Sequence, residues 1–273
     1  MGVTNNMEKI NLWDNNPGKC EEIPRISAFI PEKRRSDAAI IIFPGGGYVM
    51  RSDHEGEGYA KFLQTNGYCA FVVDYRLSPH EFPLPLLDAR RAVRYVRYYA
   101  DKYGINKNKI AVMGSSAGGH LAALLSTYFE NIDFENIDEI DKEDFVPNAQ
   151  ILCYPVIKML GKDFALLGCG KKLLGSRQAE MGEDTSPDLI ANQKTPQAFI
   201  WHTFNDNCVN VINSIDYARK LKLCGVPTEL HIFPQGEHGL GLAEGTDSSS
   251  VHVSQWNKLL LNWLNFINFK KGE

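Results

Sequence analysis

The sequence lacks any excess of basic charge: 29 Lys and Arg stand against 33 Asp and Glu, a formal net charge of −4. With no positive field to gather polyanions, nucleic acid and anionic lipid surfaces drop out as expected partners. It also lacks an unbroken apolar run of the roughly 18 to 20 residues that a membrane-spanning helix requires. The most apolar stretch, Leu259 to Phe269, is interrupted by Asn262, Asn265 and Asn268 and reads as an amphipathic helix. The opening MGVTNNMEKINLWDNN holds no apolar core of the kind a secretory leader uses. Its six cysteines, Cys20, Cys69, Cys153, Cys169, Cys208 and Cys224, form no C-x-x-C pair. That scatter argues against a disulfide framework and against thiolate metal ligation. A cytoplasmic address and a site without metal or cofactor are the expectations that follow. No internal repeat and no low-complexity linker divides the chain.

What is present is an alternation of short β-branched runs with longer helical patterns, the signature of a parallel sheet with crossover helices. Lys9–Trp13 and Arg25–Phe29 read as an opening pair of strands. Ala39–Phe43, Cys69–Asp74, Lys109–Met113, Ala149–Tyr154, Ala198–His202 and Thr228–Phe233 follow. The central runs are apolar without alternation, as strands covered on both faces must be. Helices are predicted over Pro85–Tyr103, Ser116–Phe129, Val211–Leu223 and His252–Phe266. The stretch from about 157 to 192 breaks this rhythm and is rich in Gly and Lys. The expected organisation is one α/β domain over residues 1–273, with a small cap or insertion at about 157–192.

Gly114-Ser115-Ser116-Ala117-Gly118 matches G-x-S-x-G, directly after a predicted strand and at the start of a predicted helix. A strand that turns abruptly into a helix strains its central residue and projects the hydroxyl above the sheet edge. Only Ser116 has glycine at both −2 and +2. A glycine-rich turn capped by serine is the purely structural alternative, and the surrounding strand and helix weigh against it. Pro44-Gly45-Gly46-Gly47-Tyr48 follows another strand, and three glycines free the backbone to aim N–H groups without side chains in the way. The amides of Gly46, Gly47 and Ala117 are the candidate oxyanion donors.

A serine nucleophile needs a base, and the base needs a carboxylate to fix its tautomer. Asp206 lies in the loop after the strand that ends at His202, and His238 lies in the glycine-flanked loop after the last strand. Their order behind Ser116 is the one expected when a nucleophile elbow sits on such a sheet. Among the other histidines, His231 lies within a strand, His120 reads as packed on the nucleophile's helix, and His202 could line the site. His54, His80 and His252 have no motif support. Asp184 or Asp188 would be the fallback acid, and Asp216 reads as a solvated helix position. Tyr48, Ser115 and Tyr154 are the candidates to bind substrate, the two tyrosines as walls of an acyl pocket. Arg90, Arg91, Arg94 and Arg97 read as a solvated basic face. The charges of DYRLSP (Asp74 to Pro79) are expected to pin loops.

Taken together, PGGGY, DYRLSP, GSSAGGHLAA, YPV, WHTFNDNCV and HIFPQGEHGLGLA resemble the bacterial α/β-hydrolases of the acetyl-xylan or sugar esterase type, near the hormone-sensitive-lipase-like esterases. The resemblance runs from about Ala39 to Ala243. It implies an α/β-hydrolase fold, a mostly parallel central sheet with helices on both faces. It further implies hydrolysis of small acyl esters, often acetyl groups on sugars, without metal or cofactor. The expected partner is therefore a small ester, with a second copy of the chain left open. Pro44 stands where relatives usually carry histidine, and the acid loop lacks the second acidic residue and the proline that relatives tend to have. Two rival functions are a prolyl-oligopeptidase-type peptidase, for whose propeller 273 residues leave no room, and a non-catalytic binder on the same fold.

Overall fold

A computed structural model of the chain describes residues 9–14, 17–18, 21–132, 138–161 and 168–270. Cys20, the first eight residues of the leader reading and residues 162–167 of the irregular stretch lie outside the described residues. Eight strands form one sheet in the order β1-β2-β4-β3-β5-β6-β7-β8. They are β1 (Lys9–Asn11), β2 (Arg25–Phe29), β3 (Ala39–Phe43), β4 (Cys69–Asp74), β5 (Ile110–Ser115), β6 (Ala149–Cys153), β7 (Gln197–Thr203) and β8 (Thr228–Phe233). β1 and β2 run antiparallel at one edge, and every pairing from β4 through β8 is parallel.

All five residues of β3 are fully buried because both faces of the sheet are covered. Pleating sends Ile41 and Phe43 into one core and Ile40 and Ile42 into the other. The longer helices are α1 (Asp53–Thr65), α2 (Leu84–Tyr98), α3 (Ser116–Thr127), α4 (Ile212–Leu223) and α5 (Trp256–Phe266). The first core takes Leu86, Val93 and Val96 of α2, Leu121 of α3, and Tyr217 and Leu221 of α4. The second takes Tyr59, Ala60 and Leu63 of α1 with Trp256, Leu260 and Leu264 of α5. Helix α5 is amphipathic as expected, burying Trp256, Leu260, Trp263 and Leu264 while Phe266 stands 82% exposed.

Local chemistry moves several boundaries. The predicted helix 85–103 ends at Tyr98 and resumes for one turn, Ala100–Tyr103, which Gly104 closes in the left-handed conformation. The predicted helix 252–266 is two pieces, a short Ser248–Val253 turn capped by the Asp247 carboxylate, and α5. Helix α1 has no counterpart among the sequence expectations. Between 168 and 192 the described backbone forms short helices at Cys169–Leu174, Gln178–Met181 and Pro187–Ile190.

The arginine stripe of α2 corrects the sequence reading: it is buried, not solvated. Arg90, Arg91, Arg94 and Arg97 are 0%, 2%, 6% and 6% exposed. The segment 138–146 packs over them and supplies acceptors to Arg91, Arg94 and Arg97, while Arg90 donates to the carbonyls of Tyr128 and Glu130. Arg91 reaches Asp138 at 2.6 Å and Asp141 at 2.9 Å and lies over the Trp13 ring. Arg94 donates to the Glu143 carbonyl and Arg97 to that of Val146. Arg90 lies 4.0 Å from the Phe145 ring centre. Planar guanidinium groups suit such a seam, since they satisfy several acceptors and stack on aromatic faces at once. In DYRLSP, Arg76 does pin a loop: it is fully buried, forks onto Asp88 at 2.6 Å and donates to the Pro17 carbonyl.

Candidate active site

Register brings the functional loops to one edge. Phe43 pairs with Gly114, Ser115 with Cys153, Cys153 with Trp201, and Thr203 with Phe233. The carboxyl ends of β3, β5, β6, β7 and β8 therefore lie level. The glycine turn, the serine elbow, the acid loop and the histidine loop all emerge there, where open α/β sheets place their sites.

Ser116 opens α3 with a φ of 52°, the left-handed strain of a nucleophile elbow. The flanking glycines are demanded by space. A Cβ on Gly118 would lie 2.0 Å from the Phe43 carbonyl oxygen, and one on Gly114 would lie 2.1 Å from that of Gly118. The Ser116 hydroxyl donates to His238 Nε2 at 2.9 Å, and His238 Nδ1–H donates to Asp206 Oδ2 at 2.6 Å. Three side chains far apart in sequence thus form one line.

Asp206 is held on every side. Its Oδ1 accepts the amides of Cys208 at 2.9 Å and Val209 at 2.8 Å. His202, fully buried, sits with Nε2 3.3 Å from Oδ2, donates to the Val209 carbonyl and receives the Ser214 hydroxyl on Nδ1. Burial alone would raise the carboxyl's pKa. The hydrogen bonds from His202 and His238, and that from the Val209 amide, outweigh it and hold the group well below the usual carboxylate range. Asp206 stays charged. Of the fallback acids Asp184 and Asp188, Asp188 is paired with Lys158 at 2.5 Å; Asp216, expected as a solvated helix position, is half-buried and lies on the same lysine at 3.0 Å.

The glycine turn lies against the elbow. A Cβ on Gly45 would come 2.8 Å from the Ser115 carbonyl oxygen. Gly46, Gly47 and Tyr48 all take positive φ, at 129°, 65° and 63°. The Gly46 carbonyl closes the turn by accepting from Val49 and Met50. The amides of Gly46 and Gly47 have no acceptor among the described residues. Ala117, one residue into α3, has its N–H in the first turn, where no intrahelical acceptor exists.

Residues 27–221 match the BD-FAE family. The chain belongs to that family. An acetyl ester-xyloside bifunctional hydrolase from Caldicellulosiruptor lactoaceticus is 41% identical, covers 98% of this chain and 99% of its own, and superposes with a TM-score of 0.89. MGS-M1, an α/β hydrolase enzyme from a deep-sea metagenome library, is 29% identical with a TM-score of 0.73, covering 96% and 97%. An acetylxylan esterase of Xylanibacter ruminicola is 34% identical over 239 residues, 85% of this chain. An endo-1,4-beta-xylanase B of Butyrivibrio fibrisolvens is 34% identical over 244 residues, also 85% of this chain. The matches span only 45% and 38% of those two proteins. The fold is that of the α/β hydrolases.

In this BD-FAE chain three expected substrate contacts sit elsewhere. Tyr48, Ser115 and Tyr154 are 1%, 0% and 1% exposed, and their hydroxyls are spent on protein partners. Tyr48 donates to His120 Nδ1 at 2.7 Å, and His120 Nε2–H donates to the Thr185 carbonyl. Burial pushes the His120 pKa down to about 4, so the ring is neutral and packed. Ser115 Oγ lies 2.9 Å from the Tyr59 hydroxyl. Tyr154 places its ring edge-on to His238 with centroids 5.0 Å apart. These side chains wall the site from behind. A cavity of about 860 Å³, lined by Thr127, Tyr128, Asp184, Asn192 and Cys224, shares no residue with the serine line. Sequence reasoning missed Glu55 and the true place of His202. Neither belongs to a motif that names its partner.

Proposed function

We propose that the chain is a serine carboxylesterase that removes small acyl groups, acetyl above all, from sugar hydroxyls such as those of xylo-oligosaccharides. The observation that carries this reading is the Ser116–His238–Asp206 line, at 2.9 and 2.6 Å, beside the amides of Gly46 and Gly47, which have no acceptor among the described residues. Support for the substrate class comes from the acetyl ester-xyloside hydrolase and the acetylxylan esterase among the relatives.

His238 takes the hydroxyl proton as Ser116 Oγ attacks the acyl carbonyl. Negative charge moves onto the carbonyl oxygen and is met by the N–H groups of Gly46, Gly47 and Ala117, with the start of α3 adding its dipole. His238, oriented and stabilised as imidazolium by Asp206, then protonates the departing sugar hydroxyl. Water repeats the sequence on the acyl-enzyme and frees the acid. Val49, Met50 and Phe204 stand on these same loops, 52%, 55% and 68% exposed, and supply apolar surface for a substrate to cover. The described parts of the irregular stretch, 157–161 and 168–192, serve as a small cap on a single domain. Thr185 of that stretch, bonded to the His120 that holds Tyr48, supports this. The five described cysteines are free thiols, in keeping with a cytoplasmic address. No described helix is long and apolar enough to cross a membrane.

A chain-length series of 4-nitrophenyl esters, run beside acetylated xylo-oligosaccharides, tests the substrate class. The expected result is a kcat/KM highest for two-carbon acyl groups, falling at least about tenfold by eight carbons, with acetate released from the sugars. Such a drop needs only about 1.4 kcal/mol of discrimination at the transition state. A preference for long acyl chains would overturn the reading.

A further inference from the structure

Glu55, in the first turn of α1, is a buried carboxylate that the proposed chemistry does not use. It is 3% exposed. Taking a carboxylate out of water costs several kcal/mol unless hydrogen bonds replace the lost solvation, and the two groups that replace it here belong to the proposed active site. Oε2 accepts the Gly45 amide at 3.0 Å, and Oε1 accepts the Tyr154 hydroxyl at 2.6 Å. Gly45 begins the turn that carries the proposed oxyanion amides of Gly46 and Gly47. It is clamped so closely that a Cβ there would lie 2.3 Å from Glu55 Oε2 and 2.8 Å from the Ser115 carbonyl oxygen.

Tyr154 extends the bracket to the base. Its oxygen accepts the Gly241 amide at 2.9 Å, three residues beyond His238, while its ring meets the imidazole edge. Because the Tyr154 proton goes to Glu55, its oxygen has room for a second donor, and the Tyr59 hydroxyl lies 3.2 Å away. Tyr59 in turn lies 2.9 Å from Ser115 Oγ, beside the nucleophile. All three hydroxyl protons can therefore run toward one carboxylate: Ser115 to Tyr59, Tyr59 to Tyr154, Tyr154 to Glu55. Burial raises the pKa of both tyrosines, which keeps them protonated donors. His54, the residue before, adds a second strap by donating to the Gly239 carbonyl at 2.8 Å.

We propose that Glu55 is a positioning residue that fixes the oxyanion turn through Gly45 and the His238 loop through Tyr154, holding the two halves of the site in register. This rests on the esterase reading above and deepens it. Glutamine can keep the Gly45 bond through its carbonyl and donate its amide to Tyr154, whose proton then turns to Tyr59. Alanine keeps neither bond.

The test compares Glu55→Ala, Glu55→Gln and Tyr154→Phe with the unaltered protein. It measures kcat and KM on 4-nitrophenyl acetate, inhibition by an aryl trifluoromethyl ketone, and thermal unfolding. The ketone forms a tetrahedral adduct whose oxygen occupies the proposed hole. Glu55→Ala is expected to lower kcat about 100-fold, the scale of one lost oxyanion donor. Its KM should stay within about threefold, and ketone binding should weaken in parallel. Glu55→Gln is expected to recover to within about tenfold of the unaltered kcat, and Tyr154→Phe to lose about tenfold. A folded Glu55→Ala with full kcat and full ketone affinity would overturn the proposal while leaving the esterase reading intact. If Glu55→Ala does not fold, unchanged kcat and ketone affinity in Tyr154→Phe overturn it. An unaltered protein that hydrolyses no ester defeats the functional reading and this proposal with it.

Discussion

Ser116→Ala is expected to remove esterase turnover almost completely, lowering kcat by about 10⁶-fold, the scale on which a triad nucleophile acts. Among the described residues Ser116 supplies the one hydroxyl hydrogen-bonded to His238. Ser115 is fully buried and faces Tyr59, and the elbow's strain projects only the side chain at 116 toward His238. The change is expected to leave the fold intact, because among the described residues the Ser116 hydroxyl makes one hydrogen bond, to His238, and alanine keeps the Cβ. Unfolding temperatures of the two proteins should agree within a few degrees, and the initial rate on 4-nitrophenyl acetate checks the loss. A folded Ser116→Ala protein with turnover near that of the unaltered chain would remove the nucleophile from the account.

Asp206→Asn is expected to lower kcat about 10⁴-fold, the scale of an Asp-to-Asn change in a working triad. The surroundings dictate why. The Cys208 and Val209 amides both donate to Oδ1 and would claim the asparagine carbonyl. The new NH₂ must then sit where Oδ2 was, facing His238 Nδ1 and His202 Nε2. Donating to His238 Nδ1, it forces the ring proton onto Nε2, which then points at the Ser116 hydroxyl and cannot accept from it. The geometry survives and the base is lost. The expected signature is a collapse of kcat with KM nearly unchanged on the same aryl ester. A variant within about tenfold of the original kcat would show that Asp206 does not set the tautomer.

Much of this architecture was legible in the residues because each signal was local. AIIIF and CAFVVD declare strands covered on both faces. GSSAGG declares an elbow because a strand must precede it and a helix follow. Ser116, Asp206 and His238 meet because a doubly covered parallel sheet delivers the loops after β5, β7 and β8 to one edge. What escaped depends on partners that pattern cannot name. Helix α1 has no counterpart among the sequence expectations; it carries Gly56 and Gly58, and glycine is a poor helix former. Gly56 is there because a Cβ would lie 2.9 Å from Pro44 Cγ, so close approach to the glycine turn excludes a side chain. The arginines of α2 recur at 90, 91, 94 and 97, as a solvated stripe would. The chain's return at 138–146, with acceptors for Arg91, Arg94 and Arg97 and the Phe145 ring for Arg90, turns that stripe inward. Tyr48 and Tyr154 follow strand-end motifs and read as walls of an acyl pocket. Their hydroxyls instead found His120 and Glu55 behind the site.

The same contrast explains the two departures from the resembled esterases. Proline at 44 costs no needed donor, since the turn is anchored by the Gly45 amide on Glu55 and by the Pro44 carbonyl, which accepts the Tyr75 hydroxyl at 2.7 Å. In the acid loop, which lacks the second carboxylate, Asp206 is already met by two backbone amides and two imidazoles.

The claim beneath the rest is that this hydroxyl, and no other in the chain, is made nucleophilic by its neighbours. Mass spectrometry of the protein after reaction with a fluorophosphonate tests it most directly. The account predicts one phosphonyl adduct per chain, on the peptide bearing Ser116, with esterase activity lost in proportion to labelling. An adduct on a different residue, or undiminished ester hydrolysis by fully labelled protein, would contradict it.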